Sequence, residues 1–427
     1  MTTEEQRQII DLINREVLPA IGCTEPIAVS LCVAKAAELL GTRPEKINLK
    51  LSANILKNAM GVGIPGTGMI GLPIAVALGA LIGKSDYQLE VLRDTTPEAV
   101  EEGKKFIAEK RISIEHKDTP EKLFIEVECR AGDKSAKAII AGAHTNFIYL
   151  EQDGKVLKDT PLAASSESGD SKDPELTLAK VYEFATTTPI DDLRFILKTK
   201  ELNKAVSDAS LKGDYGHALG RTIRESLGKH NIFGDTTHMH IMSATAAACD
   251  ARMAGAPIPV MSNSGSGNQG ISATMPVVVY TEDNNVPEEM LIRALALSHL
   301  TVIYIKQSLG RLSALCGCVV AATGSACGLT YMMGGGYEQV TYAVKNMVAS
   351  LTGMLCDGAK PSCALKVASG ASTAVMCAIL AVDNRSVTEV EGIIDRSVDK
   401  SIKNMTAIGR DGMAETDKLV LDIMTNK

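Results

Sequence analysis

Ile47-Asn-Leu-Lys-Leu-Ser52 alternates apolar and polar residues, the period-two pattern of a strand with one buried face. The residues before it keep helical spacing, so the chain changes architecture here. The stretch runs into Asn54-Ile-Leu-Lys-Asn-Ala-Met-Gly-Val-Gly-Ile-Pro-Gly-Thr-Gly68, a glycine-rich loop ahead of an apolar helix expected over residues 70–81. Strand, glycine loop and helix in that order can cradle a phosphate on backbone N–H groups. The spacing matches neither G-x-G-x-x-G nor the P-loop with its closing Lys-Ser/Thr, so a nucleotide site has little support. Two readings stay open: a loop setting Lys57, Asn58 and backbone donors against a small anion, or a tight turn.

Upstream, Ile9, Ile10, Ile13 and Val17 recur at helical spacing, and residues 27–40 form a second apolar helix. Between them lies Leu18-Pro-Ala-Ile-Gly-Cys-Thr-Glu-Pro26. Pro26 disfavours helical geometry at Glu25 and suits the first turn of the next helix. Thr24 or Cys23 therefore sits near a helix N-terminus; a cysteine there has its pKa lowered and can form a thiolate base or nucleophile. A buried cysteine at a helix–helix turn is the alternative.

Downstream, residues 87–92, 111–116, 123–129 and 137–141 read as strands and 97–109 as a helix, an α/β block of antiparallel or mixed sheet. The run from Ile139 ends in polar groups, His144-Thr-Asn146, placed to contact a substrate or simply to close a loop. Asp153-Gly154 is a hairpin signal. Residues 164–174 are a polar linker. Beyond it helices are expected over 175–186, 189–210, 214–229, 237–254, 286–309, 312–333, 337–355, 363–381, 386–404 and 412–425. The fold class expected is α+β: a mainly helical domain with a smaller α/β domain inserted. Its parts are N-terminal helices (1–45) packing on the helical domain, the α/β domain (46–165) and an all-helical domain (175–427).

Met261-Ser-Asn-Ser-Gly-Ser-Gly-Asn-Gln-Gly270 interrupts the helices. Its donors and acceptors suit the carboxylate and ammonium of a zwitterion, and the apolar segments on either side press it against a core. Ser262, Asn263, Ser264, Ser266, Asn268 and Gln269 are the candidates.

Five of the ten cysteines fall between Leu312 and Ala371, centred on Cys356-Asp-Gly-Ala-Lys-Pro-Ser-Cys363. Gly358 and Pro361 argue for a turn between two thiols. The spacings are 40 residues from Cys316 to Cys356 (356 − 316) and 7 from Cys356 to Cys363 (363 − 356). Zinc sites favour paired cysteines two to four residues apart. Three separate loops or helix ends converging on an iron–sulfur cluster fit better. Cysteine as a small buried hydrophobe is the competing reading.

The composition bounds the function. A chain of 427 residues exceeds one ordinary core. With a net charge of −7 and no basic stripe, nucleic-acid binding is not expected. Frequent glycine (36 residues) suggests helices in close contact. The acidic N-terminus is no signal peptide, and irregularly spaced cysteines suit a reducing compartment, so a cytoplasmic protein is expected. Residues 58–83 and 312–337 lack charge but are broken by glycine and polar residues, so no membrane span is expected.

Taken together, Pro19-Ala-Ile-Gly-Cys23-Thr-Glu-Pro26, the 54–68 loop, His144-Thr-Asn146, the 262–270 loop, Arg311-Leu-Ser-Ala-Leu-Cys316-Gly317, and Cys356 with Cys363 resemble the L-cysteine desulfidase family. That group is related to the iron–sulfur L-serine dehydratases. The resemblance spans nearly the whole chain. It implies cleavage of L-cysteine to hydrogen sulfide, ammonia and pyruvate without pyridoxal phosphate, on an oxygen-sensitive [4Fe-4S] cluster with one open iron site. It further implies Cys316, Cys356 and Cys363 as ligands and Cys23 as the base. Glu25, Asn58, His144, Asn146 and the polar loop would bind the amino-acid substrate, and a homodimer is the assembly considered. Cys318 and Cys327 match no ligand role. The serine dehydratases end their paired cysteines in Cys-Asp-Pro at longer spacing; the shorter Cys356-Asp-Gly segment favours the desulfidase branch. The rivals are an L-serine dehydratase, a pyridoxal phosphate lyase using Lys360 or Lys366, and a non-catalytic amino-acid binder or redox sensor.

Overall fold

The computed structural model describes residues 1–160, 173–230, 232–310 and 313–426. Most of the expected linker (164–172) and Arg311 lie outside them. The fold is α+β, with two large hydrophobic cores and a small third cluster.

The first core is built on a six-stranded sheet. Its spatial order is Ile112–His116, Lys46–Leu51, Phe124–Ala131, Lys134–Ala141, Phe147–Gln152, Lys155–Asp159, and only the first pair is parallel. Ile47, Leu49 and Leu51 point inward with Ile125, Val127, Ala138 and Ile140, as the alternation requires. Helices Thr24–Leu40 and Leu72–Leu81 cover that face, and Pro97–Ala108 packs on the latter. The opposite face carries charge, with Lys117 donating to Glu126 at 2.6 Å. Asp153 and Gly154 both take positive φ in the expected hairpin turn.

Three local readings are corrected. Residues 87–92 are not a strand: Ser85–Glu90 is a 3-10 turn in which Gln88 has φ +52°. Its apolar–polar alternation arises without a strand partner. The first part of the glycine loop is a helix, Ala53–Ala59. Of the helix expected over 386–404 only Val398–Ala407 forms part.

The second core is helical. Thr3–Glu16 joins it through Ile9, Leu12 and Ile13, with Thr2 and Glu5 forming a reciprocal cap worth about 1 kcal/mol. The sequence reading sent both N-terminal helices to this domain, but Thr24–Leu40 lies under the sheet. It is apolar all round, so periodicity alone could not say which core it joins. At the centre lies Gly317–Met332, packed by Glu288–Leu309, Gly267–Asn284, Tyr337–Leu351 and Cys363–Val382. The small residues expected at helix contacts are there: a Cβ on Gly324 would stand 2.4 Å from the Ser298 carbonyl oxygen. The Gly267–Asn284 helix went unread because Pro276 and Val277–Val279 sit inside it. One helix among the described residues, Cys363–Val382, is long and apolar enough to cross a bilayer, and half of that window is buried in the protein.

Candidate active site

Backbone pairing brings two of the three predicted ligand cysteines together. Leu315 and Leu355 form an isolated antiparallel bridge; Cys316 N–H donates to Met354 O at 3.0 Å and Cys356 N–H to Ala314 O at 2.7 Å. Cys316 caps the central helix and Cys363 begins the Cys363–Val382 helix, so two of the three thiols stand at helix N-termini. The turn between Cys356 and Cys363 depends on Gly358. Its φ is +90°, and a Cβ there would stand 2.2 Å from the Lys57 carbonyl oxygen. Lys366 ties the helix back to the turn, donating to Leu355 O at 2.7 Å and pairing with Asp357, which Lys360 also engages. Burial pushes the Cys316 thiol well above its usual range, and the neighbouring Cys318, Cys356 and Cys363 push the same way. Lys366 in turn feels the charges of Cys316 and Cys363.

Cys318 neighbours Cys316 and Cys363, whereas Cys327 does not. The Cys318 thiol donates to Lys366 O at 3.0 Å between two helices, and Cys327 is fully buried within the helical core.

Cys23 reaches this neighbourhood from the other end of the chain. It is the N-cap of Thr24–Leu40, as the Glu25-Pro26 step suggested. A two-stranded ribbon, Pro19–Ala20 against Val260–Met261, staples its turn to the polar loop. Ser262 adds bonds from N–H (2.8 Å) and Oγ (2.7 Å) to Leu18 O. The Cys23 thiol lies in the field of Arg252 and of Cys363, 340 positions away (363 − 23). The expected lowering of its pKa by the helix start is not what dominates: burial pushes it up to about 11, and the Arg252 guanidinium opposes that.

The polar loop is largely committed to its own framework. Asn263 donates to His299 Nδ1 (3.0 Å) and His299 O (3.1 Å) and accepts from Ser264 Oγ (2.8 Å). His299 Nε2–H then donates to Thr274 Oγ1, whose own proton goes to Gly270 O. Burial drives His299 down to about 3, so it is neutral and this tautomer is fixed by its partners. Ser266 caps the following helix. Asn268 and Gln269 remain, Asn268 accepting from Arg252 at 3.1 Å and Gln269 lying against Gly317 beside Cys316.

The other predicted residues fall around this centre or away from it. Glu25 is half-buried and accepts from Thr24 Oγ1 at 3.2 Å. Asn58 is half-buried on Ala53–Ala59; its neighbour Lys57, 2% exposed, reaches Cys356 O at 3.5 Å and pairs with Asp417. His144 and Asn146 sit in the turn after Lys134–Ala141, where the Asn146 amide closes the turn on Ala141 O at 3.0 Å. Arg252 was missed by sequence reading, because it looks like the polar end of an apolar helix; its burial is the signal. A surface cavity of about 430 Å³ lies apart from the thiols, between Leu219–Lys229 and the outer side of Cys363–Val382.

Among the described residues no three His, Cys, Asp or Glu side chains stand close enough to share one metal ion. A cluster asks something else: each thiolate takes its own iron at a separate corner. Cys316, Cys356 and Cys363, on two helix ends and a bridge, have the soft-donor chemistry that such a cluster takes.

A thiol-rich centre at helix N-termini, framed by a polar loop in an α+β chain, defines the class that comparison with known proteins makes specific. The serine dehydratase alpha chain family matches residues 86–422, and this chain belongs to that family. It is 68% identical to a UPF0597 protein of Bacteroides fragilis over 428 residues, all of both chains. A UPF0597 protein of Parabacteroides distasonis is 60% identical over 429 residues and one of Oleidesulfovibrio alaskensis 46% over 427, each again covering all of both chains.

Proposed function

We propose that this chain is a pyridoxal-phosphate-independent lyase that β-eliminates L-cysteine to hydrogen sulfide, ammonia and pyruvate, with L-serine as the second substrate of the same site. One observation carries the reading: a buried thiol at a helix start, Cys23, directly follows the Gly22 carbonyl that the buried Arg252 guanidinium holds at 3.1 Å. A non-catalytic binder or sensor has no need of that fourth thiol.

A [4Fe-4S] cluster held by Cys316, Cys356 and Cys363 would leave one iron without a protein ligand, which supplies Lewis-acid chemistry toward a carboxylate and a departing thiolate or hydroxyl. The chain's own residues supply the rest. Cys23 removes the α-proton and holds it at Sγ. Burial pushes the Cys23 thiol up to about 11, with the Arg252 charge opposing only in part, so its thiolate is scarce at neutral pH and strongly basic toward the α-proton once formed. The His299–Asn263–Ser264 chain keeps the polar loop rigid, so the residues flanking Cys23 and Cys316 keep their spacing. Burial of Cys23 (3% exposed) and Gln269 (3%) keeps water from the proton-transfer step. Loss of sulfide leaves aminoacrylate, which tautomerises and takes up water to give pyruvate and ammonia.

The test is anaerobic purification, iron and acid-labile sulfide analysis, then product release from L-cysteine and L-serine. About four irons per chain with cysteine-dependent sulfide release is the expected result. Iron with serine preferred moves the chain to the dehydratase chemistry of its family. Neither iron after reconstitution nor pyruvate would leave an amino-acid binder.

A further inference from the structure

Two buried polar side chains beside the thiols have unused capacity, and their characters are opposite. Arg252, 6% exposed, donates from one terminal nitrogen to Gly22 O at 3.1 Å and from the other to Asn268 Oδ1 at 3.1 Å, while Nε has no acceptor. Two of the five N–H donors of the guanidinium have oxygen acceptors, the side chain also engages the Cys23 thiol, and among the described residues no carboxylate pairs with it. A guanidinium keeps its charge, and a buried charge without a counter-ion is costly. Gln269 donates from Nε2 to Asn263 O at 3.3 Å, and its Oε1 accepts nothing.

Their positions are linked. Asn268 connects them in sequence, and a Cβ on Gly267 would stand 2.2 Å from Arg252 Nε. Arg252 holds the carbonyl of the residue before Cys23. The Gln269 amide oxygen lies 3.2 Å from where a Cβ on Gly317 would stand, next to Cys316. One helix start therefore presents a cation toward the proposed base and an amide acceptor toward a proposed ligand. The three serines and the asparagine of residues 262–266 are spent on Leu18, His299, Asn263 and the helix cap.

We propose that Arg252 binds the α-carboxylate of the substrate and that Gln269 Oε1 accepts from its α-ammonium, so that this pair sets the preference for a free α-amino acid. The proposal rests on the amino-acid reading of the site. Arginine suits the role because its planar fork meets a carboxylate on two N–H groups.

The test uses two probes that share the thiol and differ in the charged group: 3-mercaptopropionate has the carboxylate without the ammonium, cysteamine the reverse. Their affinities are measured by calorimetry on the full-length, anaerobically reconstituted protein, with iron content checked for each variant. Arg252→Met weakens 3-mercaptopropionate roughly 10- to 100-fold and leaves cysteamine within about twofold. Gln269→Met does the reverse with a smaller loss. Should Arg252→Met fail to fold, Arg252→Lys, which keeps the charge but loses the fork, still weakens 3-mercaptopropionate selectively. Equal loss of both probes, or loss of neither, overturns the proposal. If the probes discriminate as stated while wild-type protein releases no sulfide or pyruvate from L-cysteine, the anchor stands and the lyase reading falls.

Discussion

Along Lys46–Leu51 exposed and buried residues alternate without a break, whereas Gly317–Met332 buries nearly every side chain and presents no distinct face. The sheet core has one wet side and can tolerate change there. The helical core is enclosed, and most of its polar groups find a partner, so the few that do not stand out. The comparison teaches where chemistry can sit: the unsatisfied Arg252 and Gln269 and the converging thiols all belong to the enclosed region.

The strongest way to break that contrast is at Cys23. Cys23→Ala is expected to lower cysteine-dependent pyruvate release by roughly 10²- to 10⁴-fold while iron content and melting temperature hold. Turnover at the wild-type rate with the cluster intact would end the base assignment. Where the two cores meet, Asp417→Asn strands the buried Lys57 ammonium and should cost about 3 kcal/mol in denaturant unfolding. Lys57→Met removes that charge and should cost less; the reverse ranking would show that Lys57 acts by packing. Inside the helical core, His299 gives a pH signature. Its folded pKa, about 3, lies below the unfolded value near 6.5, so the unfolded chain binds the proton first. Stability is therefore lost as pH falls from about 6.5 toward about 3, at about 1.4 kcal/mol per pH unit. His299→Gln should flatten that part of a melting-temperature profile, and an unchanged slope would assign it to other groups. The smallest effect belongs to the sheet's wet side: Leu157→Thr, at a position 47% exposed, should shift stability by less than about 0.5 kcal/mol. A larger loss would mean that Lys155–Asp159 is covered in solution.

How much was legible follows the same division. Strands Lys46–Leu51 and Phe124–Ala131 and the Asp153-Gly154 hairpin announce themselves because one-sided burial and turn chemistry are local properties. The 3-10 turn at Ser85–Glu90 imitates the strand pattern without a neighbour to pair with. In the site, Cys23, Cys316, Cys356 and Cys363 were readable as residue types in unusual turns. Arg252 was not, since nothing in Asp250-Ala251-Arg252-Met253 distinguishes a solvated helix end from a buried one.

By itself the sequence determined the α+β class, the thiol-bearing turns and a helix start at Cys23 or Thr24, because proline, glycine and period-two patterns act over a few residues. Only the tertiary structure decided that Thr24–Leu40 serves the sheet while its first turn serves the helical core. It also decided that Asn263 is spent on His299 and that Arg252 is left with donors to spare. Those outcomes depend on which groups lose water together, and desolvation is a property of the packed chain.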